Sequence, residues 1–215
     1  DGMSTEKTEN RDKILKRTNS KNCAVTYEVL LSMKQSQRRE LVSGADIVYI
    51  YHNTIDAVGD KANTENQVFE ACNDAIEELK NLVRLIVNSM SGSNILITTD
   101  HGFLYSHEPL AESEKVSTGI VSENVFETGK RHMLANDVCD SDVLMHISMK
   151  EYADGLVGLT PYENVRIKKQ GGGTDFVHGG VSLQECCIPV ITFKNISKTS
   201  KKFVDIKKVR VKLIS

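Results

Sequence analysis

Two short apolar runs, Ile47-Val48-Tyr49-Ile50-Tyr51 and Asn94-Ile95-Leu96-Ile97-Thr98-Thr99, decide the fold. Both are continuous, β-rich and closed by polar residues, the pattern of a strand covered on both faces. Between them Val68, Ala71, Cys72, Ala75, Ile76, Leu79, Leu82, Val83, Ile86, Val87 and Met90 recur every three or four residues, giving one apolar stripe on a helix. Thr64-Glu65-Asn66-Gln67 offers a capping box at its start and Gly92 a stop. That helix is about 27 residues and roughly 40 Å long. Strand, helix, strand is a βαβ unit, so its strands are predicted to run parallel with a right-handed crossover. The fold class expected is α/β, a mostly parallel sheet sandwiched by helices.

Working outward, Glu9 to Arg17 and Ala24 to Leu41 are predicted helical, the second with Val25, Val29, Leu30 and Met33 at helical spacing. Residues 104–135 read as loop-rich, with a turn at Gly129-Lys130-Arg131-His132, and Ser141 to Ile147 as a short helix. Gln170-Gly171-Gly172-Gly173 reads as a flexible segment. Ser182-Leu183-Gln184-Glu185 is a second capping box, opening a short helix that Pro189 ends, and Ile188 to Phe193 is a third apolar strand. There is no internal repeat and no low-complexity tract.

The 215 residues are 40% hydrophobic and 26% charged with a formal net charge of −2, which suits one sizeable domain and excludes disorder for most of the chain. No apolar run approaches the roughly 18 to 20 residues of a membrane helix, and no secretory-type apolar segment stands at the N-terminus. Five cysteines, with Cys186 and Cys187 adjacent, argue against a disulfide framework and for a reducing cytoplasm. Charge is uneven: residues 1–42 carry +3, residues 43–193 carry −12 and residues 194–215 carry +7. An acidic middle suits a cation site. The basic end is a Lys-protected strand edge, or a surface for nucleic acid or an acidic partner. The opening Asp1-Gly2-Met3 and the alternating run Lys208-Val209-Arg210-Val211-Lys212-Leu213, a strand in need of a neighbour, read as an interior piece of a longer protein.

Three polar clusters carry candidate chemistry. In Asp100-His101-Gly102 a carboxylate and an imidazole at a strand end suit a divalent metal, with Gly102 allowing close approach; alone, the tripeptide is equally a turn with an ordinary histidine. Asp56 and Asp60, at i and i+4, face the same way on a helical turn and repel unless solvated or metal-bound. His178-Gly179-Gly180 precedes a capped helix whose N-terminus favours an anion, or else simply makes a tight turn.

Their order along the chain is more specific than any one of them. It resembles the alkaline phosphatase superfamily. The wording around Tyr49-Ile50-Tyr51-His52-Asn53-Thr54-Ile55-Asp56-Ala57-Val58-Gly59-Asp60-Lys61, Thr98-Thr99-Asp100-His101-Gly102-Phe103 and Asp1-Gly2-Met3-Ser4-Thr5 is similar to the PglZ family, the phosphatase-like proteins of BREX phage-defence systems. The resemblance covers residues 1–193 as one PglZ-like, alkaline-phosphatase-like domain; residues 194–215 form a basic β-strand extension beyond it. It implies two divalent ions (Zn, Mn or Mg), one held by Asp56, Asp60 and His178 and the other by Asp100 and His101. Asp60 stands where a His is common, which favours a harder ion. Lys61, Gly179 and Gly180 are candidate phosphate contacts. The superfamily's Ser or Thr nucleophile and a further Asp come from an earlier strand, and nothing before Asp46 matches them. The core is therefore expected to be incomplete here, the metals partial or absent, and the chain inactive by itself.

The implied activity is hydrolysis of phosphate esters in phage defence. Nucleotide phosphodiester cleavage and a non-catalytic interaction module are the alternatives. Implied partners are other BREX components, such as a DNA methyltransferase, with nucleic acid at the basic end and no membrane. Of the other histidines, His52 is expected to orient its loop or to be buried with a hydrogen bond, His146 to lie on a helix face, and His107 and His132 to lie on the surface, the alternative for these two being to support the ligands or contact substrate.

Overall fold

A computed structural model describes residues 2–108, 110–117, 124–136, 141–169, 171 and 173–196. The Lys208–Leu213 run, nearly all of the basic extension, Gln170, Gly172 and Cys139 lie outside the described residues. In chain order the elements are α1 (Thr8–Leu15), β1 (Cys23–Thr26), α2 (Tyr27–Ser32), α3 (Gln35–Val42), β2 (Val48–Tyr51), α4 (Thr54–Gly59), α5 (Val68–Met90), β3 (Asn94–Thr98), β4 (Leu104–Tyr105), β5 (Lys115–Val116), β6 (Val125–Thr128), β7 (Met133–Asn136), β8 (Leu144–Ser148), β9 (Leu156–Pro161), β10 (Arg166–Ile167), β11 (Phe176–Val177), α6 (Leu183–Cys186) and β12 (Val190–Lys194).

Helices and strands are mixed, but the sheets are small and mostly antiparallel. Five of the seven pairings among the described residues are antiparallel; β1 with β2 and β5 with β10 are the parallel ones. The expected mostly parallel sheet is thus corrected. β2 pairs with β1 and β3 with β12, so among the described residues no ladder joins β2 to β3. A crossover helix fixes the relative direction of its flanking strands only when both lie in one sheet. Here α5 connects two separate ladders. Nor are these strands covered on both faces: Tyr49 is 50% exposed, Leu96 61% and Val190 64%.

Three other local expectations fail for identifiable reasons. Ala24 to Leu41 is not one helix. Val25 and Thr26 are β-branched and extend β1, and the Thr26 hydroxyl then accepts the Val29 amide to cap α2. The chain is extended again at Met33 and Lys34, and the Gln37 side chain accepts the Lys34 amide at the start of α3. Val25 and Leu30 do share a core, but from different elements. Ser141 to Ile147 is not a helix either; Leu144–Ser148 is strand β8, with Leu144 buried and His146 exposed on the sheet. The Gly129–His132 turn is present, closed by the Gly129 amide on the His132 carbonyl, and it joins β6 to β7. The third apolar strand and the second capping box also form.

Helix α5 runs for 23 residues, about 35 Å. Its expected capping box does not form. The Thr64 hydroxyl donates to the Val58 carbonyl, Glu65 is buried, and Glu65–Gln67 makes a single 3-10 turn instead. The helix ends at Ser91, which takes the left-handed conformation one residue before the expected Gly92. Leu82 and Met90 meet Val25 and Leu30 in one core cluster, while Met133, Ala135, Leu144, Val157, Leu159 and Ile167 form another under the four-stranded sheet β6-β7-β9-β8.

Leu30 is fully buried between β1 and α5. Truncation to Ala removes its transfer energy and leaves a cavity, so Leu30→Ala is expected to lower unfolding free energy by about 2–5 kcal/mol, measured by urea titration.

Candidate metal centre

The five expected ligands come from three places, each set by local structure. Asp56 lies in the first turn of α4, and Asp60 follows its end with its amide on the Asp56 carbonyl, one turn below. Asp100 and His101 follow β3. The Asp100 carboxylate accepts the His101 amide at 3.1 Å, and the Gly102 amide donates to the Glu185 carbonyl at 2.8 Å. Any side chain at Gly102 would run into the Gln184 carbonyl, so glycine is required there. His178 follows β11, which pairs with β4 in antiparallel register, Val177 opposite Leu104. That ladder carries His178 to His101, and their rings stack with centroids 4.0 Å apart and planes 4° from parallel.

The donors meet in pairs. His178 Nε2 is 3.4 Å from Asp60 Oδ1, and His101 Nε2 is 3.8 Å from both Asp56 Oδ2 and Asp100 Oδ1. His101 Nδ1 is 3.0 Å from the Gly102 carbonyl, which only accepts, so Nδ1 is the donor there and Nε2 is left facing the carboxylates. Burial pushes the Asp56 carboxyl above its ordinary range. His101 and His178 oppose that shift, while Asp60 and Asp100 add to it.

The turn holding His178 rests on a buried hub. Glu185 is 2% exposed and Arg131 1%. The Glu185 carboxylate accepts Arg131 Nε and Nη2 at 3.1 and 3.2 Å, the Gly180 amide at 2.9 Å, and the Ser182 amide and hydroxyl at 3.3 and 2.7 Å. Arg131 Nη1 donates onward to the Glu163 and Val165 carbonyls. Two consequences follow for the expected phosphate contacts. The Gly180 amide is spent on Glu185, and the anion at the α6 N-terminus is the protein's own carboxylate. Gly179 takes φ 95°, a side chain there would run into the His132 ring, and Lys61 is exposed.

This family resemblance can now be set against known proteins. The BREX system PglZ alkaline phosphatase-like domain matches residues 1–193. The chain belongs to the PglZ family. It is 39% identical over 203 residues to the alkaline phosphatase-like protein BrxZ of Escherichia coli O9:H4 (strain HS), covering 93% of this chain and 23% of that protein. It is 40% identical over 214 residues to the alkaline phosphatase-like protein PglZ of Bacillus cereus (strain H3081.97), covering 97% and 24% respectively. The chain thus spans about a quarter of the length of these relatives.

In this PglZ-family chain the donor chemistry suits divalent ions: three carboxylates and two imidazoles within one cluster. Ligand atoms about 2.1 Å from a tetrahedral ion lie about 3.4 Å from one another, close to the pair spacings here. Among the described residues, however, no group of three or more His, Cys, Asp or Glu side chains is already gathered closely enough to hold an ion. His101 lies beside both Asp56 and Asp100 and His178 beside Asp60, while the Asp56 carboxyl also feels the charges of His178 and Asp60.

Sequence reasoning read Arg131 only as a turn residue and Glu185 only as a cap, and it placed His132 on the surface; His132 is half-buried, its Nδ1 sealed beside Gly179 with no hydrogen-bond partner among the described residues and its Nε2 3.2 Å from Glu127. The Ser182-x-x-Glu185 spacing was the available signal for Glu185; nothing local pairs it with Arg131. His52 is hydrogen-bonded to Glu78 at 2.6 Å, as expected, and Thr54 shares that carboxylate. His107 stacks on Phe69 beside Tyr105. The described cysteines are free, and among the described residues no helix is long and apolar enough to cross a membrane.

Burial alone would raise the Glu185 carboxyl, but the bonds from Arg131, Ser182 and the Gly180 amide hold it below its ordinary value of 4.5. A depressed native pKa lends stability that is complete above the unfolded value and is lost as pH falls through the native one. Thermal melting is therefore expected to fall as pH drops below about 4.5. Glu185→Gln, which leaves Arg131 without its counter-charge, should cost about 3–5 kcal/mol at pH 7 and remove that part of the acid dependence.

Proposed function

We propose that this chain supplies the metal-ligand portion of a metal-dependent phosphohydrolase acting with other BREX components in the cytoplasm. The observation that carries this reading is the convergence of Asp56, Asp60, Asp100, His101 and His178 around one pair of stacked imidazoles, in a chain belonging to an alkaline phosphatase-like family.

Asp56, Asp60, Asp100, His101 and His178 would hold two divalent ions, Zn, Mn or Mg. When bound, such ions polarise phosphoryl oxygens and lower the pKa of a hydroxyl nucleophile. The chain's own residues do the rest. The Gly102 carbonyl accepts from His101 Nδ1, so that Nε2 faces the carboxylates. The Arg131–Glu185 hub sets the turn after His178, and Lys61, exposed one residue beyond Asp60, would contact a substrate phosphate. The Ser or Thr nucleophile is supplied from outside this sequence. The turns that carry the donors are tied to buried polar contacts, so gathering the side chains around an ion calls for side-chain rather than backbone movement.

The test uses a full-length family member carrying this domain: metal content together with turnover of mono- and diester chromogenic substrates, which also separates phosphatase from phosphodiesterase. Asp100→Ala and His178→Ala are each expected to lower bound metal and to cut turnover at least about 100-fold, the loss of several kcal/mol of transition-state stabilisation. Metal content and turnover unchanged in both variants would overturn the site. The 215-residue chain alone is expected to show negligible turnover; hydrolysis by it would place the nucleophile within this sequence.

A further inference from the structure

A second polar feature lies away from the donor cluster. Strands β5 and β10 pair in parallel with Lys115 opposite Arg166, the Lys168 amide donates to the Val116 carbonyl at 2.7 Å, and the Ile167 amide to the Lys130 carbonyl at 2.8 Å. Three chain segments are thereby fixed side by side, and Lys115, Lys130, Arg166, Lys168 and Lys169 line one cavity of about 330 Å³ with Glu112 as its single carboxylate. Composition does not explain this, because residues 43–193 carry a formal charge of −12.

Glu112 is already shared by Lys115 at 2.8 Å and Lys168 at 2.9 Å. Arg166 is 1% exposed and spends its donors on the Thr174 carbonyl, Asn164 and the Ser106 hydroxyl, so it acts as a fixed positive floor. Lys130 is half-buried and donates to the Gly173 carbonyl. Burial lowers its pKa; Glu65 opposes that, and the charges of Lys169 and Arg166 add to it. Among the described residues Lys169 makes no ion pair. Glu65 and Asp175 act on Lys130, and Glu185, Asp175 and Glu114 on Arg166, from outside the lining, so among the described residues the surplus positive charge of the cavity lies at Lys115, Lys168 and Lys169 around the shared Glu112, where an incoming anion relieves it.

We propose that this cavity binds a phosphate-bearing anion, with Lys115, Lys168 and Lys169 at the phosphate oxygens over the Arg166 and Lys130 floor. Its volume is at the small end for ligand sites, the size of a diphosphate or a single nucleotide unit. The assignment does not rest on the metal centre. Thr174 and His178 are four residues apart, at most about 14 Å of extended chain, so a ligand bearing several phosphates can reach from one site toward the other.

The test titrates the 215-residue chain with inorganic pyrophosphate by calorimetry, and with a fluorescein-labelled single-stranded oligonucleotide by anisotropy at two salt concentrations. The double variant Lys168→Glu/Lys169→Glu changes exposed side chains; its melting curve checks that it folds. The expected result is at least tenfold weaker binding in the double variant, with a salt slope shallower by about 2 for the oligonucleotide. Pyrophosphate binding that the oligonucleotide does not exceed identifies a free polyphosphate. Oligonucleotide affinity that grows with length identifies a nucleic-acid strand. Lys207→Gln/Lys208→Gln reports the basic C-terminal run separately. Wild-type protein that binds neither probe, or a folded double variant that binds both as wild type does, would overturn the proposal.

Discussion

The carboxylate of Glu185 is the constraint on which the described site depends. It is sealed from water against Arg131 and takes five hydrogen bonds, while the carbonyl of the same residue takes the Gly102 amide. One residue thus holds the turn after His101, the turn after His178 and the hairpin between β6 and β7. A buried ion pair is weak evidence for stability in itself, because desolvation offsets most of its attraction. Its worth here is geometric, since satisfying both charges at once leaves the three turns a single arrangement.

How much of this was legible follows from how local each signal was. The α5 stripe, the α6 capping box, the Gly129 turn and the final strand are read within windows of a few residues, and all formed. The three polar clusters were legible because each is a short motif at the end of an apolar run. Their convergence was inferred from resemblance, and the structure supplies its physical cause, the β4–β11 ladder. That ladder is two residues long on each side, too short for any period to announce it.

The misread elements share one cause: tertiary partners overrode local pattern. Val25 fits the helical stripe of Leu30, yet it reaches the same core from a strand because Thr26 caps the next helix. Thr64 and Gln67 have the spacing of a capping box, but the Thr64 hydroxyl goes to the Val58 carbonyl and Glu65 between them is claimed by the amides of Asp175 and Phe176. The parallel sheet was the largest error. A crossover helix is strong evidence for parallel strands only where both strands share a sheet, and sheet membership is a long-range property. Which carboxylate each imidazole faces was likewise invisible, because spacing along the chain does not fix it.

Those Glu65 contacts span 110 and 111 residues, and the Arg131–Glu185 pair spans 54. Contacts of such sequence separation demand loop closure before they reward it, which slows folding. No early helical intermediate can assemble the donors, because His178 arrives only when the chain has come back on itself. The meeting of His178 with His101 therefore belongs to the end of the folding reaction, after the long loops have closed.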